Sequence, residues 1–207
     1  FIPVQTKDWS VQVGVNGTVQ NTVFNKIRGG ESEEDFIEVT GLDFGTGTKL
    51  SRHQVGYAPY SYYVYQQLYD IEGKPIQNAF VDRNDDGVIT EADKYFAGDP
   101  NPDFYYGLNF KASYKNWDFG FNGHGSIGYT VYNAFAAGNS TSSFDVNAGN
   151  LSNYATVVKK TGFTAPNKLA QYVSDYFLED ASFFRMDDIN LGYTFKEIGN
   201  WGGNIRI

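Results

Sequence analysis

Residues 82–93 read DRNDDGVITEAD, with oxygen-bearing side chains at the spacing of a calcium loop. Asp82, Asn84, Asp86, Thr90 and Asp93 take loop positions 1, 3, 5, 9 and 12, with Gly87 at 6 and Ile89 at 8. Carboxylate and amide oxygens suit a hard cation such as Ca2+. Gly87 permits the sharp turn, and Val88 would add its carbonyl at position 7. Asp93 stands where glutamate is usual and is one methylene shorter, so looser capture is expected and Mg2+ could compete. The bland alternative is a solvated acidic turn held by Asx-type hydrogen bonds. A sensor would need flanking helices that swing apart. Upstream, GKPIQNAFV contains Pro75 and no helical stripe; downstream, EADKYF allows only a turn or two before Gly98 and Pro100. The loop therefore reads as a strut.

Other chemistry is sparse. There is no Cys, and the two His are His53, in an irregular stretch, and His124, on the polar side of an alternating segment. No nucleophile elbow, zinc spacing or phosphate loop appears. Asp187 and Asp188 have the residue types of a glycosidase pair, but neighbours on a regular strand face opposite ways. No enzyme is expected. Tyr57, Tyr60, Tyr62, Tyr63, Tyr65 and Tyr69 fall within YAPYSYYVYQQLY. They are candidates for cargo or partner contact, or for a small core within their own segment.

The elements that would hold these residues read as strands. In 104–114 the even positions Phe104, Tyr106, Leu108, Phe110, Ala112 and Tyr114 are apolar. In 117–131 the odd positions Trp117, Phe119, Phe121, Ile127, Tyr129 and Val131 are apolar. That change of parity predicts a two-residue turn at Lys115-Asn116, with Tyr114 opposite Trp117. Trp9 to Ile27 alternates as one strand of about 15 to 19 residues, well beyond the usual 5 or 6, because a turn at Asn16-Gly17 would break its parity. INLGYTF (189–195) and WGGNIRI, with Trp201, Ile205 and Ile207, alternate again. Gly107, Gly123, Gly125, Gly192, Asn109, His124 and Asn190 are expected on the polar face.

Short links at 115–116 and 196–200 contrast with long excursions at 28–102 and 132–182. Strands that run up and down would put both excursions at one end, as in outer-membrane barrels. The excursions are expected to be loops without crossing strands. With 16 Lys and Arg against 24 Asp and Glu, the net charge of -8 argues against a nucleic-acid partner. No run of about 18 apolar residues could form a spanning helix, which leaves a barrel open.

Three stretches carry a family resemblance. DRNDDGVITEADKYFAGDPNPDFYYGLNF joins an Asp-rich loop to a GxxxPxFxxG-like strand entry at Gly98, Pro102, Phe104 and Gly107. ASFFRMDDINLGYTF (181–195) looks like the pattern SYLRLxNITLGY, with Phe183, Phe184 and the acidic Met186-Asp187-Asp188 as departures. DWSVQVGVNGTVQNTV resembles an upstream barrel strand. Together they resemble the C-terminal part of the barrel of SusC/RagA-type TonB-dependent outer-membrane transporters of the Bacteroidetes. The likeness is weakest over 28–68 and 132–170.

The resemblance implies an all-β fold, with residues 1–207 forming part of a transmembrane antiparallel β-barrel of about 22 strands. It implies an N-terminal plug, a TonB-contacting segment and final strands outside this stretch. It further implies import of glycans or peptides, oligosaccharide or peptide cargo, a SusD-like surface lipoprotein as partner and contact with outer-membrane lipid. The alternative is a secreted β-sandwich carbohydrate-binding module with a structural calcium ion.

Overall fold

The computed structural model describes residues 1–27, 35–41, 48–142, 154–196 and 203–207. In chain order its strands are β1 (Val4–Gln5), β2 (Trp9–Val19), β3 (Phe36–Gly41), β4 (Lys49–Gln54), β5 (Ser61–Tyr65) and β6 (Gln67–Tyr69). Then come β7 (Pro75–Phe80), β8 (Lys94–Phe96), β9 (Phe104–Tyr114), β10 (Trp117–Ile127), β11 (Thr130–Tyr132), β12 (Leu178–Asp180), β13 (Phe183–Phe195) and β14 (Ile205–Arg206). Short helices α1 (Ala134–Gly138), α2 (Val157–Thr161) and α3 (Leu169–Tyr172) punctuate the second half. The chain divides into two compact units.

The first unit comprises residues 1–20, 102–128 and 181–207. It is an antiparallel six-stranded sheet in the order β1-β2-β9-β10-β13-β14. Tyr114 pairs with Trp117 across the turn at Lys115-Asn116, as the change of parity predicts, and Lys115 takes φ 54° there. Asn16 and Gly17 sit inside β2, opposite Gly107 and Tyr106, so no turn interrupts it. Paired residues share a face. Trp9, Val13, Phe110, Phe121, Ile189 and Leu191 therefore form one apolar face, backed by Gln12, Asn109, Asn122, His124 and Asn190.

Several expectations change. β2 ends at Val19, shorter than the predicted strand, because its partner β9 begins at Phe104 and the ladder has no further rung. Alternation continues to Ile27 because that residue is buried within the second unit. β10 stops at Ile127, and residues 130–132 form a separate strand against β12. Gly123 and Gly125 belong to the apolar face, opposite Leu108 and Tyr106, rather than to the polar one. A Cβ at Gly125 would lie 2.5 Å from the Tyr106 ring, so these glycines make room for aromatic rings. Trp201 and most of the link 196–200 lie outside the described residues.

Residues 21–101 and 129–180 make the second unit. The expected loops are folded here: β3-β4-β5-β8 form a four-stranded sheet, and β6-β7 and β11-β12 form two-stranded ribbons. Long excursions without internal structure are uncommon because nothing offsets their ordering entropy. Here both excursions contribute to one core. Leu50, Tyr62, Val64, Tyr65 and Phe80 from the first pack with Val173 from the second, while Tyr132, Ala170 and Leu178 flank them. Ala136, Ala137, Phe163 and Phe177 form a second cluster.

Candidate functional site

The polar face of the first unit is organised by a β-bulge. β13 shifts register against β10 between Asn122 and Gly123, so Asp188 pairs with Asn122 and Met186 with Gly123, leaving Asp187 as the extra residue. Asp187 and Asp188 consequently project to the same face, contrary to the expectation for a regular strand. Asp187 Oδ2 lies 2.6 Å from His124 Nδ1, and Asn190 Nδ2 donates to Asp188 Oδ2 at 2.8 Å. Each carboxylate thus has a local partner. Asn109 donates to Asn122. Arg206 Nε donates to Asp118 Oδ1 at 2.9 Å, and its guanidinium crosses Gly192, where a Cβ would come within 2.6 Å of Arg206 Nε. What results is a hydrogen-bonding wall.

The acidic loop follows β7 and is closed by a single 3-10 turn at Glu91–Asp93. Asp82 Oδ2 accepts from Gly87 N–H at 2.7 Å, Asn84 Oδ1 from Asp86 N–H at 3.1 Å and Asp86 Oδ1 from Val88 N–H at 2.8 Å. These bonds fold the loop inward, and Gly87 at φ 82° completes the reversal. Thr90 caps the 3-10 turn, with its Oγ1 accepting from Ala92 N–H. Asp93, with no exposed surface, uses Oδ1 to accept from Arg83 N–H at 2.9 Å and Oδ2 from Thr90 N–H at 2.7 Å. The Thr90 amide is the main cause holding this carboxyl below the usual aspartate range, against the opposing effect of burial. Asp93 therefore staples the loop to its own backbone. Among the described residues no group of three or more His, Cys, Asp or Glu could hold a metal. A cation at this loop would rest on Asp82 and Asp86 together with the Asn84 amide and the Val88 carbonyl.

The tyrosines separate by environment. Tyr62 and Tyr65 are buried core residues of β5, and only Tyr57, Tyr60 and Tyr69 are exposed. Tyr57 stacks on Phe96 with centroids 3.6 Å apart, and Tyr63 supports the Arg52 guanidinium at 3.5 Å. Burial, then the charge of Glu91 and a hydrogen bond to it, push the Tyr65 hydroxyl up to about 12. Tyr95 is raised by burial and by its 2.7 Å hydrogen bond to Asp175.

Polar residues that sequence reasoning passed over tie the second unit together. Gln171 Oε1 accepts from Asn78 N–H at 2.6 Å, and Gln171 Nε2 donates to Gln67 Oε1 at 2.6 Å. Asp175 accepts from Gln67 N–H at 2.9 Å as well as from Tyr95. No local pattern marks the junction that Gln171 makes, since Asn78 and Gln67, which it joins, lie 93 and 104 residues away.

No family model matches the chain. The chain is 38% identical over 199 residues to the TonB-dependent receptor SusC of Bacteroides thetaiotaomicron, covering 95% of itself and 20% of that protein. It is 30% identical over 132 residues to the TonB-dependent receptor P3 of Formosa agariphila, covering 61% of itself and 13% of the relative. Among solved structures, the RagAB peptide importer in its open-open state matches 99% of this chain and 23% of that one, with TM-score 0.65 and 16% identity. A second structure, of the RagAB peptide transporter, matches 95% of this chain and 21% of that one at the same TM-score and identity. The chain spans about a fifth of the length of the SusC relative. Its antiparallel sheet, the structural likeness and the sequence identity converge: the chain belongs to the SusC/RagA-type TonB-dependent receptors.

Proposed function

We propose that this chain is a C-terminal part of the barrel wall and extracellular excursions of a TonB-dependent transporter that imports glycans or peptides across the outer membrane. The observation that carries this reading is the two-faced sheet. Large apolar side chains on one face remain open, with Ile189 58% and Leu191 68% exposed, while the other face is lined by amides, carboxylates and His124. A water-soluble β-sandwich would bury such a face against a second sheet; a barrel turns it to lipid. β2, β9 and β10 each run 11 residues, which matches the roughly 9–11 residues of a tilted membrane strand. Trp9, Tyr114 and Trp117 cluster at the short-turn end, where an interfacial girdle belongs.

On this reading the sheet is one arc of a barrel of about 22 strands, and the polar face borders the cargo path. The excursions 28–102 and 132–182 are extracellular, and a SusD-like lipoprotein covers the mouth. TonB acts through an N-terminal plug supplied by the remainder of the protein. This stretch performs no covalent chemistry. The decisive test is a full-length protein retaining Trp9 and Trp117 as its only tryptophans, placed in vesicles of brominated phospholipid. Strong quenching of their fluorescence is expected, and unchanged emission would overturn the reading.

The loop at 82–93 is assigned Ca2+ as a structural ion, held by Asp82, Asn84, Asp86 and the Val88 carbonyl, with Thr90 and Asp93 closing the loop. Its support is the inward set of Asx turns at the first, third and fifth positions. Calorimetry on the full-length protein should give heat with Ca2+ that is absent from an Asp82→Ala, Asp86→Ala variant. No heat with either Ca2+ or Mg2+ rejects the assignment.

A further inference from the structure

The second unit holds a cavity of about 520 Å3 between its four-stranded sheet and α3, a size in the range of small-ligand sites. Its polar lining carries two charges of each sign, from Glu38, Lys49, Glu91 and Lys94. Lys94 is the anchor. Its side chain is only 8% exposed, and its ammonium lies 2.7 Å from Glu91 and 5.1 Å from the Tyr65 ring centroid. The Tyr65 hydroxyl donates to Glu91 Oε1 at 3.3 Å, which fixes the carboxylate from the other side. An ammonium has three donors, and the Glu91 pair leaves capacity for an incoming anion. Across the cavity, Leu169, Ala170 and Val173 give an apolar wall.

We propose that this cavity is a subsite for a short peptide with free ends, its carboxylate drawn to Lys94 and Lys49 and its ammonium to Glu38 and Glu91. The inference rests on the transport reading and narrows the cargo class. A ligand of one sign would face two like charges in the same space, a mismatch that costs affinity. A neutral sugar would need an open ring face for stacking. Tyr65, the aromatic residue lining the cavity, is almost fully buried and packs against Phe80 and the Lys94 ammonium. A zwitterion with apolar side chains satisfies both the charges and the wall.

Calorimetry on the full-length transporter in detergent tests this with three probes: trialanine, its N-acetylated and C-amidated form, and maltotriose. Trialanine should bind, the doubly capped peptide should bind about tenfold more weakly, and maltotriose should give no heat and no competition. Lys49→Gln, at an exposed position, and Lys94→Gln should each weaken trialanine by about tenfold, and Leu169→Trp should block the cavity without altering its charges. Equal affinity for capped and free peptide, competition by maltotriose, absence of trialanine binding, or indifference to all three substitutions overturns the proposal. Tryptophan quenching by brominated lipid reads the transport assignment separately, so each can fail alone.

Discussion

Asp93 occupies the last position of a calcium-type loop, yet both of its oxygens accept from backbone amides, at Arg83 and Thr90. A residue whose type and spacing suggest a ligand thus acts first as a staple. Its carboxyl is lowered in the folded chain, so the sign of the pH dependence is fixed. Its stabilisation is fully present above the unfolded aspartate value of about 3.9 and is lost as pH falls through the lower folded value. Asp93→Asn replaces one acceptor oxygen with a donor that faces an amide. Hydrogen exchange at Arg83 and Thr90 should accelerate in that variant near neutral pH, while the amides of Tyr114 and Trp117 keep their wild-type protection. Unchanged exchange at Arg83 and Thr90 would show that the staple contributes nothing. Gly192 is a second residue with a geometric task. Gly192→Val should push Arg206 away from Asp118 and free the β14 end, which a crosslink between cysteines introduced at the paired positions Phe195 and Ile205, with Arg206 kept, would detect by its slower formation.

At the level of elements, periodicity was informative wherever a strand has one wet and one apolar side. The pairing of Tyr114 with Trp117 and the unbroken passage through Asn16-Gly17 were legible because parity is a local property. The shared face of Asp187 and Asp188 was not, since one extra residue shifts parity without leaving a composition signal. The excursions were illegible for another reason. Their strands are short, and the core is assembled from segments remote in sequence, such as Leu50 with Val173. Gln171 is the clearest case: its amide joins Asn78 to Gln67 inside a buried space. Gln171→Ala would leave the Asn78 N–H and the Gln67 carbonyl oxygen without that partner, a loss of about 1–3 kcal/mol for each buried group left unsatisfied. Limited proteolysis should then cut between Gln67 and Phe80 at lower protease concentration, with the six-stranded sheet protected as before. Equal protection of both units would mean that the glutamine network is redundant.

For the whole molecule, the two faces of one strand make opposite demands on the same substitution. Ile189 pairs with Phe121 near the middle of β10 and stands 58% exposed on the apolar face, whereas Asn190 beside it faces the polar wall. Were the apolar face bathed in water, arginine at 189 would cost little, because an exposed surface position tolerates charge. If that face meets hydrocarbon, arginine near the bilayer midplane costs about 2–4 kcal/mol, and arginine at 190 enters a polar, hydrated space at small cost. Folding of the full-length transporter into phospholipid vesicles, followed through urea titration and the heat-modifiable shift on gels, measures both. Ile189→Arg should lower stability by that range while Asn190→Arg remains near wild type. The contrast is informative because the two positions are adjacent, share one β-strand and gain the same charge, and the difference in strand propensity between the lost Ile and Asn, at most about 1 kcal/mol, is smaller than the expected effect. A reversed ranking would place the amide-lined face against lipid and the aromatic face around the aqueous path, and cargo would then meet rings in place of hydrogen-bonding groups.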